Sequence, residues 1–380
     1  MYLLIKRFVV FFLLTVCIVA NSSAQKTAKE WYNKGQEYVK SKKYTDALAA
    51  FTKATTLDAK YAEAFFKAGW CNNELEDYDN ALLNLNKAIA LKKDYAYAYQ
   101  EIGYAYKKKE KFADAETALK KSIALKPDYA MAYKQLGDVY SKQKRNAEAI
   151  EAYKTCYSYD NKSEESCYQI GNLNNGEGNY VLALEWLQKA IAISPATSTY
   201  NEIEFAYYKQ KKNEEAIAAY KKALELTPTN GTAYKGMGDV YRRNYSPAKV
   251  DEAMESYKKA IANNPKSAGS HFGLGWCYNE KKNYSEAMAS LQKSLELDVT
   301  LVAAYTELGY AQYMTDKNTE ALNTFKKGLQ YDNKNTLCRY YSGLVYIVLK
   351  DKTNALAMYT ELKSIDASLA TKLKGKIDAM

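Results

Sequence analysis

Proline and histidine are scarce in this chain: 380 residues hold five prolines and one histidine, and the seventeen glycines are outnumbered by thirty-seven tyrosines. So few turn formers argue against many short strands, and the dominance of Ala, Lys, Tyr, Leu and Glu is the composition of a long helical protein. Catalytic and metal-binding signals are equally thin. The cysteines occur in no Cys-x2-Cys or other metal spacing, no glycine loop is built to cradle phosphate, and no nucleophile-and-base constellation is present. The sequence therefore predicts no enzyme, no cofactor and no metal site.

Long apolar runs are missing except at the start. In "MYLLIKRFVVFFLLTVCIVANSSAQ", Lys6 and Arg7 precede an apolar run from Phe8 to Ala20, and Ser22, Ser23 and Ala24 follow. The run falls short of the roughly 20 residues a spanning helix needs, and Ser22 and Ala24 supply an A-x-A-like site, so residues 1–24 read as a secretory signal peptide cleaved after Ala24. An uncleaved anchor is the alternative, because Leu3, Leu4 and Ile5 extend the apolar stretch. Cys17 follows Val16, where a lipoprotein signal wants a small residue. The mature protein is expected to be exported, periplasmic or associated with the cell surface. Its charge falls from +10 by the two lost cations to +8, and its five cysteines are too odd a number for a complete disulfide framework.

What the chain has in abundance is repetition. "WYNKGQEYVKSKKYTDALAAF", "YQEIGYAYKKKEKFADAETAL", "YKQLGDVYSKQKRNAEAIEAY" and "YTELGYAQYMTDKNTEALNTF" align without gaps at a period of 34 residues. Copies begin near Ala28, Ala62, Ala96, Ala130, Glu164, Thr197, Gly231, Ala268, Val302 and Thr336. Numbered from these starts, register 8 is glycine in nine copies, with Glu204 the exception in the sixth. Register 20 is alanine in nine; Ala253 fills it in the seventh after an insertion within "RRNYSPAKV". Pro127, Pro195, Pro228 and Pro265 all stand at register 32, where each ends a helix.

This pattern resembles the tetratricopeptide repeat over nearly the whole mature chain. The resemblance implies an all-α fold, a right-handed superhelical α-solenoid of stacked helix-turn-helix repeats across residues 25–367. Residues 368–380 are expected to form a capping helix through the stripe Leu369, Leu373 and Ile377. "NNGEGN" (174–179) reads as the turn within the fifth copy. Its glycines, a one-residue shortening before the sixth copy and Glu204 together predict weaker coupling between copies five and six.

A helix turns about 100° per residue, so each register has a direction. Registers 4, 7, 8 and 11 of the first helix point to the core: Tyr99 and Tyr106 are expected there, as is His271, and Tyr95 belongs to the preceding turn. Registers 2, 5, 9 and 12 point the opposite way, and in solenoids of this family the first helices line the concave surface. That places Tyr32, Asn33, Phe66, Trp70, Asn73, Tyr97, Tyr104, Tyr168, Asn172, Asn201, Phe205, Phe272, Trp276, Asn279, Tyr310 and Tyr340 on a candidate groove. Rows of exposed aromatic rings usually mark interaction surfaces, and Asn side chains can pair with a peptide backbone or with sugar hydroxyls. The alternative is that neighbouring first helices pack through these rings.

The pairs Lys120 and Lys121, Lys221 and Lys222, Lys258 and Lys259, and Lys326 and Lys327 all fall on the second helices and face outward, so no nucleic-acid partner is expected. The family's carboxylate clamp pairs Lys at register 5 with Asn at register 9. No copy has that pair; Lys134 precedes Asp138 and Lys235 precedes Asp239, where the acid would neutralise the lysine. Cys156 and Cys167 lie on helices that stacking brings together and are expected either to bond or to be small buried residues. These observations point to a scaffold holding an extended peptide or partner segment. The alternative is a module for glycan or cell-wall polymer, with Trp70, Tyr104 and Trp276 stacking on sugars.

Overall fold

A computed structural model describes residues 27–245 and 247–380; the leader sequence lies outside the described residues. Among these residues there is no strand, and no helix is long and apolar enough to cross a membrane. Helix α1 spans 27–40. It is followed by α2 (Tyr44–Leu57), α3 (Ala62–Glu74), α4 (Tyr78–Leu91), α5 (Ala96–Lys108), α6 (Phe112–Leu125), α7 (Ala130–Lys142), α8 (Asn146–Tyr159), α9 (Glu164–Gly176) and α10 (Tyr180–Ile193). The chain continues through α11 (Thr197–Lys209), α12 (Asn213–Leu226), α13 (Gly231–Arg243), α14 (Val250–Asn263), α15 (Ala268–Glu280), α16 (Tyr284–Leu297), α17 (Val302–Met314), α18 (Asn318–Tyr331), α19 (Thr336–Val348), α20 (Lys352–Lys363) and α21 (Ala367–Asp378). Contacts divide the chain into two compact units, one running to Glu177 with Gln188–Ser194, the other Gly178–Leu187 with Pro195–Met380.

Each copy is a helical hairpin, and in copies one to four and seven to nine one side chain at register 24 closes it. Phe51, Leu85, Leu119 and Tyr153 in the first unit, and Tyr257, Leu291 and Phe325 in the second, are almost completely buried. They lie over the register-8 glycine of their own copy: a Cβ on Gly69 would stand 2.6 Å from Leu85 Cγ, and one on Gly309 would stand 2.3 Å from the Phe325 ring. Glycine is required there because a side chain would push the two helices apart. The register-20 alanines, Ala47 and Ala81 to Ala355, have no exposed surface for the same reason. Pro127, Pro195, Pro228 and Pro265 each stand two residues beyond their helix, where a missing N–H costs nothing. At the end of the chain Gly343 receives Leu373 of α21, which also buries Ala370 and Ile377 and so covers the last hairpin.

Three local expectations change. Asn174, Asn175 and Gly176 belong to the last turn of α9, with the Asn174 side chain donating to the Ile170 carbonyl at 2.8 Å; the turn proper is Glu177–Asn179. His271 is half-buried with its Nε2 3.0 Å from the Pro265 carbonyl, so it braces an interhelical turn instead of filling the core. Tyr99 and Tyr106 are half-buried, Tyr106 at the core's edge, while Tyr95, at the helix N-terminus, is only 9% exposed and sits within the cluster of Phe65, Leu85 and Ile102.

Candidate binding face

Odd-numbered helices approach the next odd-numbered helix within each unit, α3 to α5 to α7 in the first and α13 through α19 in the second. Side chains bridge them, so in each unit these helices share an inner face. Of the rings expected at register 9, Trp70, Tyr104, Trp276 and Tyr310 are half-buried and Phe205 is 36% exposed, and a tyrosine at register 17 of the preceding copy packs against four of the five. Tyr44 meets Trp70 edge-on at 5.6 Å, Tyr78 meets Tyr104 at 6.5 Å, Tyr180 meets Phe205 at 6.3 Å and Tyr284 meets Tyr310 at 6.3 Å. Two register-5 rings are covered from the other side by the tyrosine that precedes the next copy: Tyr32 packs on Tyr61 at 5.1 Å and Phe66 on Tyr95 at 4.8 Å. Tyr97, 44% exposed, packs on Tyr129 at 4.9 Å and is the most open ring of the first unit's set. Asn33 is exposed; Tyr168, Asn172, Asn201 and Tyr340 are half-buried. Tyr340 and Tyr310 both abut Tyr341.

Three of the expected groove residues leave the accessible set. Phe272 is 8% exposed and packs into the core with Leu291 and Leu308. Asn73 and Asn279 are also buried, and each donates its Nδ2 to the next odd helix: Asn73 to the Glu101 carbonyl at 3.1 Å and carboxylate at 2.7 Å, Asn279 to those of Glu307 at 3.0 and 2.8 Å. These amides are clasps between copies. Burial pushes the Glu101 carboxyl up to about 7, against the lowering by the Asn73 amide, and burial raises Glu307 likewise.

Charged residues on this face pair across copies. Lys107 bonds Asp138 at 2.6 Å and Lys134 bonds Glu165 at 2.6 Å, so Lys134 is neutralised by the following copy and not by Asp138; Lys235 does bond Asp239, at 2.7 Å. A tyrosine at register 24 adds a phenol to each aspartate, Tyr153 to Asp138 at 2.8 Å and Tyr257 to Asp239 at 2.7 Å. Two clefts open beside these pairs. In the first unit a cleft of about 700 Å³ is rimmed by Lys107, Lys108, Lys142 and Lys144, with Asp138, Glu165 and Gln169 in its wall. In the second unit a cleft of about 360 Å³ lies between α11 and α13, walled by Asn201, Glu204, Phe205, Tyr208, Tyr220 and Lys235. Sequence reasoning missed Tyr61, Tyr95 and Tyr129, which a row of tyrosines just before the first helices could have revealed. It also missed the lysine rim.

On the opposite side the lysine pairs are exposed, and Lys120, Lys222 and Lys259 bond glutamates on their own helices. All five cysteines of the described residues are buried free thiols, so Cys156 and Cys167 are small packing residues and not a disulfide. Burial pushes Cys71 and Cys277 up to about 12 and Cys167 up to about 11, which removes thiolate reactivity. No cluster of three or more potential metal ligands occurs among the described residues.

Tetratricopeptide repeat models match residues 28–61, 62–95, 101–161, 164–197, 206–244 and 248–308. No curated protein matches the chain. Among solved structures, the C-terminal part of a TPR repeat-containing protein from Cytophaga hutchinsonii is 21% identical. It aligns over 64% of this chain and 99% of its own with a TM-score of 0.57. PilF of Pseudomonas aeruginosa is 18% identical over 57% of this chain and 98% of its own, with a TM-score of 0.50. YrrB, described as a TPR protein with an unusual peptide-binding site, is 19% identical over 50% of this chain and 96% of its own, with a TM-score of 0.43.

Proposed function

Because the chain belongs to the tetratricopeptide repeat family, we propose that it is an exported, non-catalytic scaffold whose inner faces hold extended polypeptide. The observation that carries this reading is the pair of clefts beside the odd-numbered helices, each lined by polar groups of both charges, with the rings of Phe205 and Tyr208 in the second. Such a surface offers backbone and side-chain partners in a row, as an extended segment requires. The glycan reading is weaker at Trp70 and Trp276, since the amides beside them, Asn73 and Asn279, are occupied by Glu101 and Glu307.

A photo-cross-linking amino acid placed at Tyr97 or Phe205, both on the inner faces, should capture polypeptide from the envelope of the producing cell. The same group at Lys121 or Lys327, on the outer helices, should capture none. Equal labelling from both faces, or retention by purified cell-wall polymer through the inner face alone, would overturn the reading. Export predicts a mature N-terminus at Gln25 by N-terminal sequencing; an intact Met1 would favour the anchor.

A further inference from the structure

The sixth copy lacks the closure that copies one to four and seven to nine share. Where the register-8 glycine should receive the register-24 ring, it carries Glu204, and the displaced Tyr220 extends toward the next copy. There Gly236 admits it; a Cβ at that position would stand 2.0 Å from the phenol oxygen. Glu204 takes a hydrogen bond from Tyr220 and opens into the cleft of about 360 Å³ between α11 and α13.

The charges in this cleft are not equivalent. Asp239 is held by Lys235 at 2.7 Å and by the Tyr257 phenol at 2.7 Å, with Arg242 at 3.7 Å, so it and Lys235 form a closed set. Arg243 stands at the exposed rim. Glu204 has a phenol and feels the charge of Lys235 across the cleft, but Lys235 is bonded to Asp239 and makes no ion pair with it, and Phe205 and Tyr208 line the same cleft. A carboxyl below the surface, lined by aromatic side chains and holding no ion pair of its own, is complementary to a long basic side chain.

We propose that this cleft is a specificity pocket for a lysine or arginine side chain of the bound polypeptide, with Glu204 as its counter-ion. The inference rests on the reading that the inner face binds polypeptide, and it names the residue type that one site selects. An entering cation replaces the missing charge, and Phe205 and Tyr208 supply ring faces to its stem and head. Burial raises the Glu204 carboxyl to about 7, so an entering cation favours the ionised form and releases a proton. The charged and titratable groups facing it are Glu202 and Tyr208 on α11, Tyr220 on α12, and Lys235, Asp239 and Arg243 on α13, with Tyr180 of α10 behind Phe205.

The test is selection of a random decapeptide display library on the whole exported chain and on its Glu204→Gln variant, whose amide oxygen still accepts from Tyr220. The proposal expects wild-type selections to carry Lys or Arg at one fixed position, and the variant's selections to lose it. A synthetic wild-type winner should bind at least tenfold more weakly to Glu204→Gln, and its wild-type affinity should rise with pH through about 7 while the variant's stays flat. Replacing its basic residue by norleucine should abolish the difference between the two proteins. Selections without a fixed basic position, or with one that survives Glu204→Gln, overturn the pocket and leave polypeptide binding standing. A library that yields no binder overturns both. Matched melting curves for the two proteins exclude misfolding of the variant as the cause.

Discussion

At the scale of single residues, one register carries a cost that repeats along the chain. Lys42, Glu76, Glu110, Lys144, Lys211, Lys282, Asp316 and Lys350 all lie at register 15 with φ between 56° and 62°, where the first helix of each copy ends. A left-handed residue there turns the chain into the second helix, and a side chain in that conformation costs roughly 1–2 kcal/mol. The fifth copy alone meets the requirement with glycine, Gly178 at φ 81°. Lys282→Gly should therefore raise the stability of its unit by about 1 kcal/mol, and Gly178→Ala should lower stability by a similar amount, both read from urea midpoints. Unchanged midpoints would mean that the turn relaxes around the side chain.

The half-buried rings bring a second expectation at this scale. Trp70 rests on Tyr44, so Trp70→Ala should cost about 1–2 kcal/mol of stability, less than the roughly 3–5 kcal/mol expected for the fully buried Tyr257→Ala. Tyr97→Ala should cost under about 1 kcal/mol, because that ring is largely open. Denaturation midpoints measured beside affinity for a cross-linked partner segment separate the packing role from the binding role. Periodicity gave Trp70 its direction, since the helical turn fixes which side of α3 it leaves from. It gave no information about Tyr44, because what the preceding copy sets against a ring depends on the offset between hairpins. The same offset turned Asn73 and Asn279 from ligands into clasps and lifted Tyr95 from a turn into the core.

At the scale of elements, the Asn–Glu clasps tie one odd helix to the next and make that joint sensitive to pH. The Glu101 carboxyl is raised by burial from 4.5 to about 7, so the folded protein holds this proton more tightly than the unfolded chain does. Below pH 4.5 both states are protonated; as pH rises toward 7 the unfolded chain ionises first, and the contribution to stability falls until both are ionised. Glu101→Gln keeps an oxygen for Asn73 and removes the titration. The variant should match the wild type near pH 4.5 and exceed it above pH 7 by at most about 3 kcal/mol. Measured by denaturation across that range, a constant difference between the two proteins would assign the pH dependence elsewhere. Glu307 is held in the same way by Asn279, so Glu307→Gln should repeat the behaviour in the second unit.

At the scale of the whole molecule, a stack of hairpins is stabilised by each copy and by its nearest neighbours, and cooperativity breaks where a neighbour term weakens. The division into compact units falls within the fifth copy, and each unit has apolar clusters of its own, around Leu85 and Ile102 in the first and around Leu291 and Leu308 in the second. The boundary between Glu177 and Gly178 lies in the turn of "NNGEGN". Gly176 lies in a helix end and Gly178 supplies a conformation that the other copies reach with strain. The sixth hairpin is expected to be weak for a separate reason: Glu204 stands where seven other copies close on glycine through Phe, Leu or Tyr, and it sets a buried carboxyl in the hairpin. Hydrogen exchange in rising denaturant should thus resolve two groups of amides with different opening free energies, α3 to α8 and α13 to α20, with α11 and α12 opening before either. Exchange isotherms that merge into one for all twenty-one helices of the described residues would show the chain unfolding as a single unit, and protection of α11 and α12 equal to that of α5 to α8 would show that Glu204 costs the sixth hairpin nothing.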